Sequence, residues 1–399
     1  MNIIVQKFGG TSVSTEERRK QVVAKVKAAI EGGYNPVVVV SAMGRKGDPY
    51  ATDTLLSLLD NQFKEANKQA QDMLMCCGEM ISSVVMCNEL KNAGIDSMPF
   101  TGGQAGIITD DNFTSADFID IKTDKISDAI NEGKVPVITG FQGITENGCF
   151  TTLGRGGSDT SACILGVGLK AKEIEIYTDV DGIMTADPRI VKDASVIDVI
   201  SYSEVFQLAD QGAKVIHPRA VDLAMKANIP LVIKNTMSDA KGTLINCLGS
   251  KGPRGTITGI THVSDRIQVC VALQDNKDEP NYRKTLDILA QNHISLDLIN
   301  IFPKEQIFTI GEPDKIKLEK IFAEANIKFT TTDNCSTLAI VGEAMTGVPG
   351  IMAKIVGALN GENIEVLQTA DSNMTIWCLV YSDSASKAIN VLHKTFNLG

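Results

Sequence analysis

Aromatic residues are scarce in this chain of 399, at 5%, and Trp377 is the one tryptophan. Histidine is scarcer still. His217, His262, His293 and His393 stand at no spacing that would close on a metal. Basic residues number 38 against 48 acidic ones, and the net charge of −10 makes nucleic acid and anionic membranes poor partners. It leaves room for a small anion in a local pocket. No apolar run approaches the roughly 18 residues of a membrane span. The start, Met1 to Lys7, reaches a lysine too soon for a signal or transit peptide. Nine cysteines, an odd number with no C-x-x-C pair, read as small buried hydrophobes in a reducing compartment. A soluble, cytoplasmic protein is expected. No G-x-x-x-x-G-K-[ST] occurs, which excludes a P-loop NTPase. Gly154-Arg155-Gly156-Gly157-Ser158-Asp159 fails the dinucleotide fingerprint at its last position.

What is present suits a globular protein of two to three domains at about 150 residues each. Hydrophobic residues make up 43%, charged residues 22%, and there are 34 glycines. The run Asn2 to Gln6 reads as a buried strand. Ser14 and Glu17 have the spacing of a capping box before a helix whose apolar face is Val22, Val23, Val26, Ala29 and Ile30. Gly32-Gly33 ends that helix, and Val37 to Val40 is a β-branched run suited to a strand buried on both faces. Strand, helix, strand is a βαβ unit. The alternation continues through a helix over 73–90, a short strand over 96–100, a helix over 121–131 and a strand over 135–139. A helix over 160–169, a strand over 173–178, helices over 203–209 and 218–226 and a strand over 230–233 follow. This predicts an α/β, doubly wound, mostly parallel sheet.

Glycine and lysine crowd residues 238–256, the best linker candidate. Beyond it a pattern repeats at an offset near 70 residues. Asn292-His293-Ile294 falls in register with Glu362-Asn363-Ile364, and each copy reads strand, helix, strand, strand, helix. Two βαββαβ modules are predicted, which suggests a paired ligand-sensing unit, a dimerisation element, or both at once.

Five clusters could carry chemistry. Lys7-Phe8-Gly9-Gly10 lies between strand and helix, where adjacent glycines let backbone N–H groups approach an oxyanion. The alternative is a glycine turn with a solvated lysine. Thr151 to Thr160 sets Arg155 among three glycines, suited to a carboxylate or phosphate. There Asp159 either contacts an ammonium group or caps the helix. Tyr177 to Arg189 follows a strand end, where ligand crevices form, and its Asp179/Asp181 pair reads as a turn rather than a metal site. Cys77-Gly78-Glu79 opens an apolar helix, so that Glu79 complements the helix dipole or binds an ammonium group. Gly212 to Pro218 places Lys214 before a helix, with His217 a packed loop residue.

Together VQKFGGTSV (5–13), TLGRGGSDTSA (152–162), YTDVDGIMTADPR (177–189) and GAKVIHPR (212–219) resemble the aspartokinases of the amino acid kinase superfamily. The C-terminal repeat resembles that family's tandem ACT domains. The look is closest to the short monofunctional enzymes of spore-forming bacteria. The resemblance implies a catalytic domain over 1–240, a linker and connecting strand over 241–262, and ACT modules over 263–332 and 333–399. It implies phosphorylation of L-aspartate by ATP to 4-phospho-L-aspartate, the first step of lysine/diaminopimelate, threonine and methionine biosynthesis.

By the same resemblance Lys7, Phe8, Gly9, Gly10 and Ser41 lie at the ATP phosphates. Thr178, Asp179, Asp181, Gly182, Met184, Asp187, Pro188 and Arg189 border the nucleotide, and Lys214 reaches its phosphates. Thr52, Glu79, Arg155, Ser158 and Asp159 hold aspartate, with Lys7, Asp159 and Lys214 the catalytic set. Arg45 to Ala51 looks like an insertion next to Thr52. No resident metal is implied, Mg²⁺ being carried by the nucleotide. Met345, Gly347, Val348, Pro349, Gly350, Asn363 and Ile364 resemble an effector loop and strand start. Lysine, diaminopimelate or threonine would bind there, and a homodimer would form through the ACT modules. The alternatives are a kinase for glutamate or carbamate, which the ACT tail and Arg155 to Asp159 argue against, and a non-catalytic sensor. The sensor would be expected to lack Lys7 and Lys214.

Overall fold

A computed structural model describes residues 1–213, 215–250, 256–272, 281–345 and 347–399. They form two compact units. The first holds Met1–Ile183, Val196–Asp210 and Lys214–Lys251, and the second Met184–Ser195, Gln211–Ala213 and Gly252–Gly399.

An eight-stranded sheet organises the first unit. Its order is Val199–Ser201, Thr243–Asn246, Leu231–Asn235, Glu173–Thr178, Ile3–Phe8, Asn35–Val40, Val135–Thr139, Ser97–Phe100. Neighbours run parallel except Leu231–Asn235 against Thr243–Asn246. Val37 to Val40 are fully buried, as a continuous β-branched run requires of a central parallel strand. Thr243–Asn246 carries this unit past residue 240, into the stretch expected to be linker.

The crossover helix Glu16–Glu31 buries Val22, Val26 and Ala29, while Ile30 is exposed. Its cap lies one residue from the expected place. Thr15 Oγ1 accepts from the Arg18 N–H (3.3 Å), and the Ser14 hydroxyl donates to the Thr11 carbonyl instead. Both residue types cap well, so spacing alone could not choose between them.

Helix Lys68–Asn92 outruns the predicted 73–90 at both ends. It is long and apolar enough to cross a membrane. Its Met75, Cys76, Met86 and Leu90 are instead buried in this unit. Glu79 lies inside this helix rather than at its start, so the helix-dipole account of Glu79 fails. A second sheet, ordered Phe118–Ile121, Ile107–Thr109, Gln142–Ile144, Phe150–Thr152, has strands too short to show a period in sequence. It displaces the start of the predicted 121–131 helix to Asp124. Of the nine free cysteines four are buried, but Cys247 is exposed.

The second unit is an antiparallel six-stranded sheet, ordered Ile299–Ile301, Glu305–Gly311, Ile257–Ala272, Phe329–Gly342, Thr375–Tyr381, Gln368–Asp371. Its two long strands each serve both repeats. Ile257 to Val263 pairs with Thr337 to Gly342, and Arg266 to Val271 with Phe329 to Cys335, with a register break between. Asp265 (φ +59°) and Asn334 (φ +57°) turn the chain at that break. The first repeat packs Ile267, Val269, Leu289, Ile294, Phe308 and Phe322. The second packs Leu338, Ile340, Ile355, Ile364 and Leu392, together with Ile257 and Ile260. The first repeat is therefore threaded between the opening strand of the second and its remainder, rather than standing wholly before it. The register read from sequence is visible in the backbone. His293 (φ +52°) and Asn363 (φ +56°) end matching helices, and Ile294 and Ile364 are buried after them.

Candidate active site

At the carboxyl end of Ile3–Phe8 the first unit holds a cleft of about 680 Å³, lined by Lys7, Gly10, Ser41, Thr52, Glu79, Arg155, Ser158 and Asp159 among others. Parallel sheets build ligand crevices at this end of their strands. The Lys7 Nζ lies 2.6 Å from Asp159 Oδ1, and both side chains are about nine-tenths withdrawn from water. Asp159 stands in the first turn of the helix Gly157–Gly168, whose cap is Gly156, a residue with no side chain to offer. Asp159 thus pairs with the strand-end lysine and does not cap. The Ser41 hydroxyl donates to Ser158 Oγ (3.0 Å), tying the loop after Asn35–Val40 to the same helix start. Gly10 is sterically required, because a Cβ there would lie 2.6 Å from the Ala42 carbonyl oxygen and 2.8 Å from that of Gly44.

Two carboxylates sit on the buried face of Lys68–Asn92, of which Glu79 lines the cleft and Asp72 does not. Glu79 is 2% exposed and accepts one hydrogen bond, from the Ala42 N–H (3.1 Å), while its Oε2 has no partner among the described residues. Burial pushes its carboxyl up to about 8. Gly78 allows this approach, since a Cβ there would stand 2.9 Å from Ala42 Cβ. Two turns earlier Asp72, fully buried, accepts from the N–H groups of Thr114 and Thr152 (2.9 Å each) and from Thr152 Oγ1 (2.8 Å). Burial raises its carboxyl too, and these three donors oppose the rise. Thr114, held at φ +73°, lines the cleft.

The structure therefore gathers Lys7, Gly10, Ser41, Thr52, Glu79, Arg155, Ser158 and Asp159 in one place. Arg155 is exposed, with no carboxylate paired to it among the described residues. Phe8 does not line the cleft: its ring is fully buried and stacks on Tyr177 with centroids 4.7 Å apart, and its carbonyl accepts from the Ser41 N–H (3.1 Å). Gly9 holds the turn, its N–H pointing at the Tyr177 carbonyl (3.4 Å). Thr178 ends the strand Glu173–Thr178 and Asp179, Asp181 and Gly182 lie in the turn after it; none of the four lines the cleft. Asp181 accepts from Ser238 and Asn235, which hold its carboxyl below the usual range, and Gly182 backs onto Thr243.

Met184, Asp187, Pro188 and Arg189 belong to the second unit, where Arg189 pairs with Asp187 (2.7 Å). Lys214 lies outside the described residues. His217 caps the helix Pro218–Ala227, its Nδ1 accepting from the Arg219 N–H. Met345 and Ile364 are buried in the second repeat's core, while Gly347 (φ +82°), Val348, Pro349 and Gly350 (φ +92°) lead into the helix Ile351–Gly361, with Asn363 after its end. Sequence reading missed Arg45, Lys46 and Gln71 as lining residues, and Asp72 behind them. The adjacent cations after Gly44 were the available signal.

The curated and solved proteins then decide the family. Residues 2–235 match the amino acid kinase family, and 330–394 an ACT domain. Aspartokinase 1 of Bacillus subtilis is 44% identical over the whole of both chains. The chain belongs to the aspartokinase family. The aspartate kinase of Clostridium acetobutylicum superposes with a TM-score of 0.84 at 26% identity, covering 99% of this chain and 100% of that one. Aspartokinase III of Escherichia coli shares the fold at 23% identity, with a TM-score of 0.77 and coverage of 98% and 99%, in a crystal structure with aspartate and ADP.

Proposed function

We infer that this chain transfers the γ-phosphoryl group of ATP to the side-chain carboxylate of L-aspartate, giving ADP and 4-phospho-L-aspartate. The chain is an ATP-dependent phosphotransferase of the aspartokinase family, and full-length identity of 44% to a curated aspartokinase supports that reading. The observation that carries the site assignment is the Lys7–Asp159 pair over Glu79 in one glycine-walled cleft.

The acceptor carboxylate has a pKa near 4 and is ionised at neutral pH, so no general base is required. The obstacle is bringing an anion onto a polyanion, and catalysis is positioning plus charge stabilisation. Lys7 neutralises the transferring phosphoryl group, with Asp159 orienting its ammonium. Lys214 is assigned to the phosphates, and Mg²⁺ arrives on the nucleotide as part of the substrate. The Thr178 to Gly182 turn borders the nucleotide. Arg155 takes the α-carboxylate of aspartate, Ser158 and Thr52 flank it, and the unpartnered Glu79 oxygen takes its ammonium group. Ionising Glu79 to meet that ammonium releases a proton.

The ACT repeats bind an end-product amino acid, lysine, diaminopimelate or threonine, at the Met345 to Gly350 loop and Asn363. E. coli aspartokinase III has been crystallised with lysine and aspartate, in a T-state. The protein works in the cytoplasm as a homodimer through these repeats.

Aspartate-dependent ADP release with Mg-ATP, measured with each effector, tests the whole reading. The Lys7→Ala variant should lose about a hundredfold or more in kcat with little change in aspartate KM. Normal turnover in that variant would remove Lys7 from the chemistry.

A further inference from the structure

Three loops of the first unit meet at one end of the cleft. The Gly9 N–H points at the Tyr177 carbonyl (3.4 Å), and the Gly10 carbonyl accepts from the Gly44 N–H (3.0 Å). Arg45 follows Gly44, and Asp179 lies two residues past Tyr177. Between them the Arg45 Nη2 donates to Asp179 Oδ2 at 2.8 Å.

That pair joins the loop after Asn35–Val40 to the turn after Glu173–Thr178, beside the glycines assigned to phosphate. Its partners are 72% and 49% exposed, and an ion pair so open to water stabilises little. Gly44 (φ +89°) and Gly47 (φ +102°) bracket the two cations, and the loop is anchored where Asp48 Oδ2 accepts from the Arg45 N–H (2.7 Å). Arg45 and Lys46 line the cleft, while Gly44, Asp48, Pro49 and Tyr50 line a second cavity of about 610 Å³. The segment therefore has open space along much of its length. A charge count adds to this. Asp159 offsets the charge of Lys7 without occupying all three donors of its ammonium, so a nucleotide polyphosphate at this end gains from cations besides Lys7.

We propose that Arg45 is a phosphate-binding residue of the kinase reaction, exchanging Asp179 for the ATP phosphates when nucleotide binds, with Lys46 as a second cation beside it. The guanidinium fork matches phosphate oxygens in pairs and keeps its charge at every working pH. A polyphosphate offers it more negative charge than one solvated carboxylate does. This inference rests on the kinase reading and on phosphates lying at Gly9 and Gly10.

The test uses the full chain with Arg45→Ala and Arg45→Lys, measuring ADP release and equilibrium binding of Mg-ATP and of AMP. Arg45→Ala should weaken Mg-ATP about tenfold in both KM and Kd. Aspartate KM and AMP affinity should stay within about twofold, and Arg45→Lys should recover part of the loss. Raising salt should weaken Mg-ATP binding less in Arg45→Ala than in the parent. An unchanged Mg-ATP constant in Arg45→Ala overturns the proposal. So does equal weakening of ATP and AMP, which marks a loop held together by an ordinary ion pair, or a rise confined to aspartate KM. Absence of aspartate-dependent turnover in the parent protein would instead strike the kinase reading itself.

Discussion

Asp72 and Glu79 share one helix, one buried face and one side-chain chemistry, yet their surroundings assign them different work. Asp72 is enclosed by three donors that fix the Thr114 loop and the end of Phe150–Thr152. Glu79 meets one donor and keeps an oxygen without a partner at the cleft. A buried polar group with all its bonds made is structural, whereas one left short stores a preference for a ligand that completes it. The difference separates the carboxylate that holds the site from the one that binds in it. Chemical identity alone does not separate them, and neither does burial.

The strongest way to break that contrast is to remove the satisfied partner. Asp72→Ala leaves three donors unanswered in the interior, and loss of about 3 kcal/mol of stability is expected by denaturant unfolding. A loss under about 0.5 kcal/mol would make Asp72 as dispensable as a surface residue.

A smaller effect concerns protons. The Glu79 carboxyl titrates near 8 when folded, against an ordinary 4.5. Between those values the folded state holds a proton that the unfolded chain has released. The contribution is thus fully present below pH 4.5 and is lost as pH rises through 8. A decline on the order of 2 kcal/mol is expected across that window, discounted for relaxation around the ionised group. Glu79→Gln should remove that share of the decline, so that the difference between variant and parent stability changes by about that amount from pH 5 to 8. Parent and Glu79→Gln curves that run parallel from pH 5 to 8 would mean that Glu79 is already charged.

The smallest effect asks whether exposure matters to the contrast. Arg155 is exposed at the cleft, and Arg155→Ala should raise aspartate KM about fivefold with kcat and melting temperature little changed. An unchanged KM would take Arg155 out of the acceptor site.

The sequence made part of this legible. Runs such as Val37 to Val40 announced a buried parallel sheet, because β-branched repetition has few other uses. The two repeats were visible because His293 and Asn363 occupy the same left-handed position after equivalent helices. Lys7, Gly10 and Arg155 to Asp159 stood out through glycines placed where side chains would not fit. The interleaving of the repeats was hidden, since strand pairing across some 70 residues leaves no local trace, and Ile257 to Val263 reads the same whichever module it completes. The four short strands around Ile107–Thr109 were hidden by length. Asp72 was invisible because one aspartate in a helix says nothing about donors some 40 and 80 residues away. Arg45 was read as part of an insertion, although the adjacent lysine and the flanking glycines marked it as more than filler.

The contrast stands or falls on Glu79. The most direct measurement is the aspartate saturation curve of Glu79→Gln at saturating Mg-ATP, taken with its thermal melt beside those of the parent and of Asp72→Asn. The predicted result is an aspartate KM raised about tenfold or more in Glu79→Gln, with a melting temperature at or above the parent's. Asp72→Asn should melt lower and keep its aspartate KM within about twofold. A Glu79→Gln variant that binds aspartate normally but melts early would contradict the account, placing Glu79 among the structural carboxylates.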